Sequence, residues 1–159
     1  MAIKRILVPI DFSTHSLSGL AYARDFAERL GAELVILHVV EPTYFASALD
    51  VQMMDPAVAN RLDEQWRACK AELERLAVGL QQTSPRFRTM MKRGAPAQSI
   101  VDTAKRSGAD LIVMATYGHT GLAHMLIGSV AEKVVRSAHC PVLTIRSATK
   151  RRKKARKGS

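Results

Sequence analysis

Cysteine is scarce in this sequence, which holds only Cys69 and Cys140. Two thiols so far apart make neither a disulfide framework nor a paired metal spacing, and they point to buried free cysteines in a reducing, cytoplasmic setting. Long apolar runs are missing as well. The N-terminal run is broken by Pro9 and ended by Asp11, which argues against both a signal peptide and a membrane span. There are no internal repeats, no glycine-rich loop ending in lysine and a hydroxyl residue, and no nucleophile elbow. Phosphate-loop hydrolysis and serine acyl transfer therefore lack their residues, and no catalytic residue is assigned.

What is present suffices for one core. With 159 residues and 47% apolar side chains, the chain suits a single domain over residues 1–147. The net charge of +10 is concentrated at the end, where seven cations between Lys150 and Lys157 leave only +3 for the rest. That tail, residues 148–159, has no apolar side chain beyond alanine and is expected to be disordered. Simple solvation, nonspecific nucleic-acid binding and attachment to an anionic membrane surface are its three readings. No aromatic residue separates the cations, so nucleic acid would meet Lys150–Lys157 through its phosphates and with strong salt dependence.

Lys4 to Ile10 reads as a central strand. Leu17, Leu20, Ala23, Phe26, Ala27 and Leu30 then recur at helical spacing, with Gly31 placed to end the helix. Glu33 to Val40 is a second strand, rich in β-branched residues. Residues 41–55 show no period but carry Tyr44, Phe45, Met53 and Met54, a connection that is either functional or a bland insertion. Asp55-Pro56 opens an amphipathic helix to about Gln82, with Val58, Leu62, Trp66, Cys69, Leu73, Leu76 and Leu80 on one stripe. Arg86 to Lys92 is a short third strand, and the helix after Gly94-Ala-Pro96 carries Ile100 and Ala104 before stopping at Ser107-Gly108. Asp110 to Met114 reads as a strand buried on both faces. Ser129 to Ala138 forms the last helix, with Val130, Val134 and Val135 inward, and Pro141 to Arg146 the last strand. The alternation predicts an α/β fold: a single-domain, open, five-stranded parallel sheet with helices on both faces, Rossmann-like in its winding. Ligands in such sheets sit beyond the carboxyl ends of the strands where the winding reverses. With strand one central and strand four beside it, that point unites Asp11 with residues 115–129.

Residues 115–129 place Gly118, Gly121 and Gly128 between a buried strand and a helix start, a sequence able to present backbone N–H groups to an anion. Ser129-Val-Ala-Glu132 has the spacing of a capping box, so Ser129 is an N-cap, a phosphate contact or both. Asp11 either caps the first helix or meets a ligand or Mg2+. His38 reads as a hydrogen-bonded strand residue, His119 and His124 as loop histidines or metal ligands, and Cys140 as buried.

Val8-Pro-Ile-Asp11-Phe-Ser13, Leu37-His-Val39, Gly94-Ala-Pro96, Asp110-Leu-Ile-Val-Met114, Gly118-His-Thr-Gly-Leu and Gly128-Ser-Val-Ala-Glu132 through Cys140-Pro-Val142 occur in the order and spacing of the universal stress proteins. Over residues 2–147 the sequence resembles that family, whose fold is adenine-nucleotide-alpha-hydrolase-like. Its ATP-binding branch is marked by Gly-x2-Gly-x9-Gly-Ser/Thr. Here Gly118, Gly128 and Ser129 match, and Ala115 stands where the first glycine would be. The added methyl matters if the backbone there needs positive φ or a ligand comes very close. The resemblance implies ATP as the cofactor, with Mg2+ at Asp11. It places adenine and ribose near Asp11 and the backbone of Val39, ribose and phosphates along Ala115, Gly118 and Gly128, and phosphates at Ser129 and Val130, with Pro9, Ile10 and Met114 completing the set. It further implies a dimeric, cytoplasmic regulatory protein of the stress response, with at most slow ATPase or autophosphorylating activity. The homodimer would form through Val142–Arg146, expected at a sheet edge with open backbone donors and acceptors. The alternative is an interaction module that binds no nucleotide and works through partners or the basic tail.

Overall fold

A computed structural model describes residues 2–41, 56–81, 86–116 and 128–146. The readings made for the 41–55 connection beyond Glu41, for Gly118, Gly121, His119 and His124, and for the basic tail lie outside the described residues. The elements in chain order are β1 (Arg5–Ile10), α1 (Thr14–Leu30), β2 (Glu33–Val40), α2 (Pro56–Gln81), β3 (Phe87–Arg93), α3 (Pro96–Ser107), β4 (Leu111–Ala115), α4 (Ser129–Ser137) and β5 (Val142–Ile145). All described strand pairs are parallel and the order is β3-β2-β1-β4-β5.

The strands read as near-continuous apolar runs because both faces are covered. Ile6, Val8, Leu34, Ile36 and Val113 pack toward Leu20, Ala23 and Ala27 of α1 and Leu73 and Leu80 of α2. Their alternates Leu7, Val35, Leu37, Ile112 and Met114 pack toward Ile100 and Ala104 of α3 and Ala131 and Val134 of α4. Winding runs from β1 out through β2 to β3, then returns to β4 and β5 on the other side of β1. The reversal therefore falls between β1 and β4.

Several helix faces differ from the apolar spacing. On α1 the buried residues are Ser16, Gly19, Leu20, Ala23 and Ala27, while Leu17, Phe26 and Leu30 are left 36%, 40% and 48% exposed. The inward stripe is made of small residues because α1 lies close against the sheet, so its bulkier residues fall on the flanks. Of the long stripe on α2, only Leu73 and Leu80 are buried. On α4, Val135 is 47% exposed and Ala131 takes the inward position beside Val134. Helix ends follow local rules more closely. Gly31 and Gly108 close α1 and α3 in the left-handed conformation, each with φ of 64°, which glycine adopts without a Cβ clash.

At the amino ends of the strands, Arg5 Nε donates to Glu33 Oε2 at 2.9 Å and Arg88 Nε lies 3.7 Å from Glu33 Oε1. The hydrogen bond from Arg5 holds the Glu33 carboxyl below its ordinary value of 4.5, against the opposing effect of burial, and the charges of Arg5, Arg88 and Arg86 add to the lowering. A depressed carboxyl stabilises the fold above its unfolded value, and that stability is lost as pH falls through the folded value. Glu33→Gln should therefore lower the urea midpoint at neutral pH, with the gap to the parent narrowing below pH 4.5. A gap that stays constant down to the acid transition would contradict this.

Candidate functional site

The crevice at the reversal has a cause in β1. The β1–β2 ladder runs the whole strand, from Arg5 opposite Glu33 to Ile10 opposite His38. The β1–β4 ladder holds only at Ile6 opposite Leu111 and Leu7 opposite Ile112. Pro9 lies just beyond, and having no N–H it cannot donate to β4. Beyond Leu7 the two strands part, and a cavity of about 280 Å³ opens at their carboxyl ends. Gly19 of α1 sits against the parted strand, where a Cβ would lie 3.3 Å from the Ala115 amide nitrogen.

Strand alternation explains the lining. Pro9 and Asp11 on β1 and its exit, and Leu37, Val39 and Glu41 on β2 and its exit, turn to the α3 face and line the cavity. Pro96 and Ile100 of α3 add apolar surface, so the deep part is largely hydrocarbon. Polar groups gather at the strand ends: Asp11, Glu41, Ser16, Thr116 and Ser129. Such a cavity, apolar with a few convergent polar groups, suits a small ligand.

The turn that presents Asp11 is tightly held. Asp11 N donates to Ser16 Oγ at 3.2 Å, and Asp11 Oδ1 accepts from Ser13 N at 3.0 Å. Ser13, not Asp11, is the N-cap of α1, its hydroxyl accepting from Ser16 N at 3.1 Å. Phe12 adopts φ of 62°, uncommon for a side chain of its size. Its ring stacks at 4.5 Å on His38, whose Nδ1 donates to Ile10 O at 2.9 Å. His38 is thus the satisfied strand histidine its sequence setting suggests, and it braces the turn that carries Asp11.

The start of α4 corrects the capping box. Gly128 is the N-cap, with no side-chain cap bond, and Glu132 N bonds to Gly128 O. Glu132 instead pairs with Arg136 at 3.0 Å. The reason lies in how the chain enters the helix: Gly128 N donates to Thr116 O at 2.7 Å, and Thr116 N to Ile145 O at 3.1 Å. These bonds anchor Gly128 as the last non-helical residue and move Ser129 to the first helical position, where it lines the cavity instead of capping its own helix.

The structure brings Pro9, Ile10, Asp11, Val39, Ala115, Gly128, Ser129 and Val130 to one cavity. Met114 is instead 5% exposed and packs in the core between the sheet and α3 and α4. Ala115 ends β4 without positive φ, so the backbone there has no need of glycine. Ser16, Glu41, Thr116, Pro96 and Ile100 also line the cavity, although the sequence reading does not assign them to the site. Parity was the available signal for Glu41, two residues beyond Val39 on one strand, and helical spacing from Leu20 for Ser16. The cysteines are free but only half-buried. Burial raises both thiols, with Glu72 adding to the effect at Cys69 and Asp110 at Cys140.

A parallel sheet wound in two directions, with a crevice at the reversal and a helix start at its rim, defines the doubly wound α/β class, whose members take ligands at that place. The family model described as "Universal stress protein family" matches residues 2–146, and the chain belongs to that family. It is 35% identical over 147 residues to a universal stress protein of Methanocaldococcus jannaschii, covering 92% of this chain and 84% of that one. Universal stress protein YxiE of Bacillus subtilis is also 35% identical, over 89% of this chain and 98% of its own. Among solved structures, universal stress protein UspA from Lactobacillus plantarum superposes with a TM-score of 0.80 at 28% identity, over 92% of this chain and 99% of that chain.

Proposed function

We propose that this universal stress protein binds ATP and acts as a homodimeric regulator in the stress response. The observation that carries the reading is the single cavity shared by Asp11 and Val39 at one strand pair and by Ala115, Gly128 and Ser129 at the other. Adenine and ribose would lie against Val39 and Asp11, and phosphates along the backbone from Ala115 to Gly128, with Ser129 donating and the start of α4 favouring negative charge. Gly118 would complete that phosphate path. Ala115 meets the backbone requirement of that path, since its φ is not positive. The cavity, measured over the described walls, is near the lower end of the size range for small-ligand sites. Two solved structures of the same fold support the chemistry in their own proteins: one universal stress protein is in complex with cAMP, and one from Arabidopsis thaliana has AMP bound.

Among the described residues no group of three or more His, Cys, Asp or Glu side chains could hold a metal ion. Mg2+ would therefore arrive with the phosphates and take Asp11 as one ligand, in keeping with its habit of binding through one or two carboxylates and substrate phosphates. No described helix is long and apolar enough to cross a membrane.

Titrating purified protein with Mg-ATP while following the melting transition tests the reading. Ligand at a hundred times its Kd stabilises by about 2.7 kcal/mol, which for a chain of this length raises Tm by roughly 5–11 °C. The shift should disappear when Gly128→Val fills the start of α4. No shift at millimolar ATP would leave the interaction-module reading in its place.

A further inference from the structure

Far from the cavity, the β3 side of the sheet presents a long edge with its own chemistry. Among the described residues β3 stands at the end of the strand order and pairs with β2 alone. Leu34 N donates to Arg86 O at 2.9 Å and Gly94 N to Val40 O at 3.1 Å. Alternate residues of a parallel strand serve one neighbour, so Arg88, Met90 and Lys92 turn their backbone groups to β2 while those of Phe87, Thr89, Met91 and Arg93 point away from the sheet. Thr89 is exposed. Charge gives this edge a preference. No Asp or Glu occurs between Glu74 and Asp102, whereas Arg86, Arg88, Lys92 and Arg93 crowd the strand. Among the described residues Glu33 and Asp63 are the carboxylates that pair with them, and Arg5 shares Glu33. The side chains of Arg88 and Arg93 stay about half exposed even so, at 47% and 49%. Met90 packs on the α3 face, and alternation sets Arg88 and Lys92 on that face to either side of it.

We propose that the β3 edge binds an extended acidic segment of a partner protein, which adds to the five-stranded sheet as a further strand. The outward N–H and C=O groups of Thr89 and Met91 supply main-chain hydrogen bonds, and the side chains beside them supply selectivity. A segment with acid, apolar and acid at alternate positions sets carboxylates opposite Arg88 and Lys92 and an apolar side chain opposite Met90. The cations that would repel a second copy of this chain attract such a partner. The proposal stands apart from the nucleotide reading, since none of these residues lines the cavity.

The test uses the full chain and a fluorescein-labelled peptide, Thr-Glu-Thr-Val-Thr-Glu-Thr, beside a second peptide with lysine in place of both glutamates. Anisotropy titrations at low salt should show the acidic peptide bound and the basic one bound about tenfold more weakly or not at all. In amide NMR spectra the Thr89 and Met91 N–H signals should shift and gain protection from exchange as the acidic peptide is added. Thr89→Pro removes an outward donor while leaving the bonds to β2 in place, and should weaken the acidic peptide by about tenfold with the melt still cooperative. Arg88→Gln with Lys92→Gln should abolish the preference between the two peptides. The proposal is overturned if the parent leaves the acidic peptide unbound, or if Thr89→Pro binds it as tightly as the parent does. Duplex DNA bound equally by the parent and Thr89→Pro, with the acidic peptide ignored, would assign the cations to phosphates instead. Should Thr89→Pro fail to fold, the parent's spectra decide: shifts at Thr89 and Met91 uphold the added strand, and shifts confined to other residues overturn it.

Discussion

Replacing Gly19 with leucine should destabilise the protein by about 2 kcal/mol or more and lower its melting midpoint by roughly 4–8 °C. A Cβ at this position would sit 3.3 Å from Ala115 N and 3.7 Å from Met114 C. Both are backbone atoms of β4, which cannot swing aside as a side-chain tip can. Gly19→Ala is a useful companion, because a glycine inside a helix costs about 0.8–1.0 kcal/mol relative to alanine. That gain and the adjustment of a few tenths of an ångström should nearly cancel, leaving the alanine protein close to the parent. Leucine adds a branched side chain with no space to enter, so α1 must lift from the sheet. The same displacement moves Ala115, and Gly19→Leu should weaken the proposed nucleotide binding even well below its melting transition. Calorimetric melts of the three proteins decide the matter; a leucine variant as stable as the parent would show that α1 does not seat against β4 as described.

Thr144→Pro should convert the proposed dimer to monomer while leaving the fold stable. The described sheet has two edges, and their chemistry differs. β3 carries Arg88, Lys92 and Arg93, so a second copy pairing there would set cation against cation. β5 reads Val-Leu-Thr-Ile, with no charge. Pro141 O and Ile145 O accept from the β4 side, at Ile112 N and Thr116 N, so alternation turns the backbone of Thr144 outward. Proline there removes an outward donor without breaking the ladder to β4, and it is tolerated on an edge strand. In a two-fold contact the loss counts twice. At roughly 0.5–1.5 kcal/mol for each backbone hydrogen bond, dissociation should become about 10–100-fold easier. Sedimentation equilibrium of the parent, Thr144→Pro and Thr144→Val measures it. A proline variant as dimeric as the parent would move the interface elsewhere.

Much of the architecture was legible from residues 2–146. The strands stood out because burial on both faces forces continuous apolar runs, and each boundary fell within about a residue or two of its expected place. Pro56 and Pro96 began helices, and Gly31 and Gly108 ended them, because these residues act through local backbone sterics that need no partner. The crossover pattern then places the crevice between β1 and β4. Helix faces were less legible. Apolar spacing on α1 spans more of the circumference than the sheet covers, so Leu17, Phe26 and Leu30 looked inward by pattern and ended on the flanks. Which residue caps α4 was likewise not local: Ser129 and Glu132 had the right spacing, yet the bond from Gly128 N to Thr116 O determined where the helix begins.

By itself the sequence determined the α/β class, the order of elements and the stretch beside which a ligand site should form, because these follow from periodicity and from proline and glycine chemistry along the chain. Tertiary structure decided what that site is made of. Ser16, Glu41 and Thr116 reach it only because three strand ends converge where Pro9 lets β1 and β4 part, and Met114 leaves it because its side chain points into the core. Whether Ala115 required glycine was also a three-dimensional matter. Residue type says what a backbone is able to adopt, whereas the packed strand showed that this position adopts an ordinary φ.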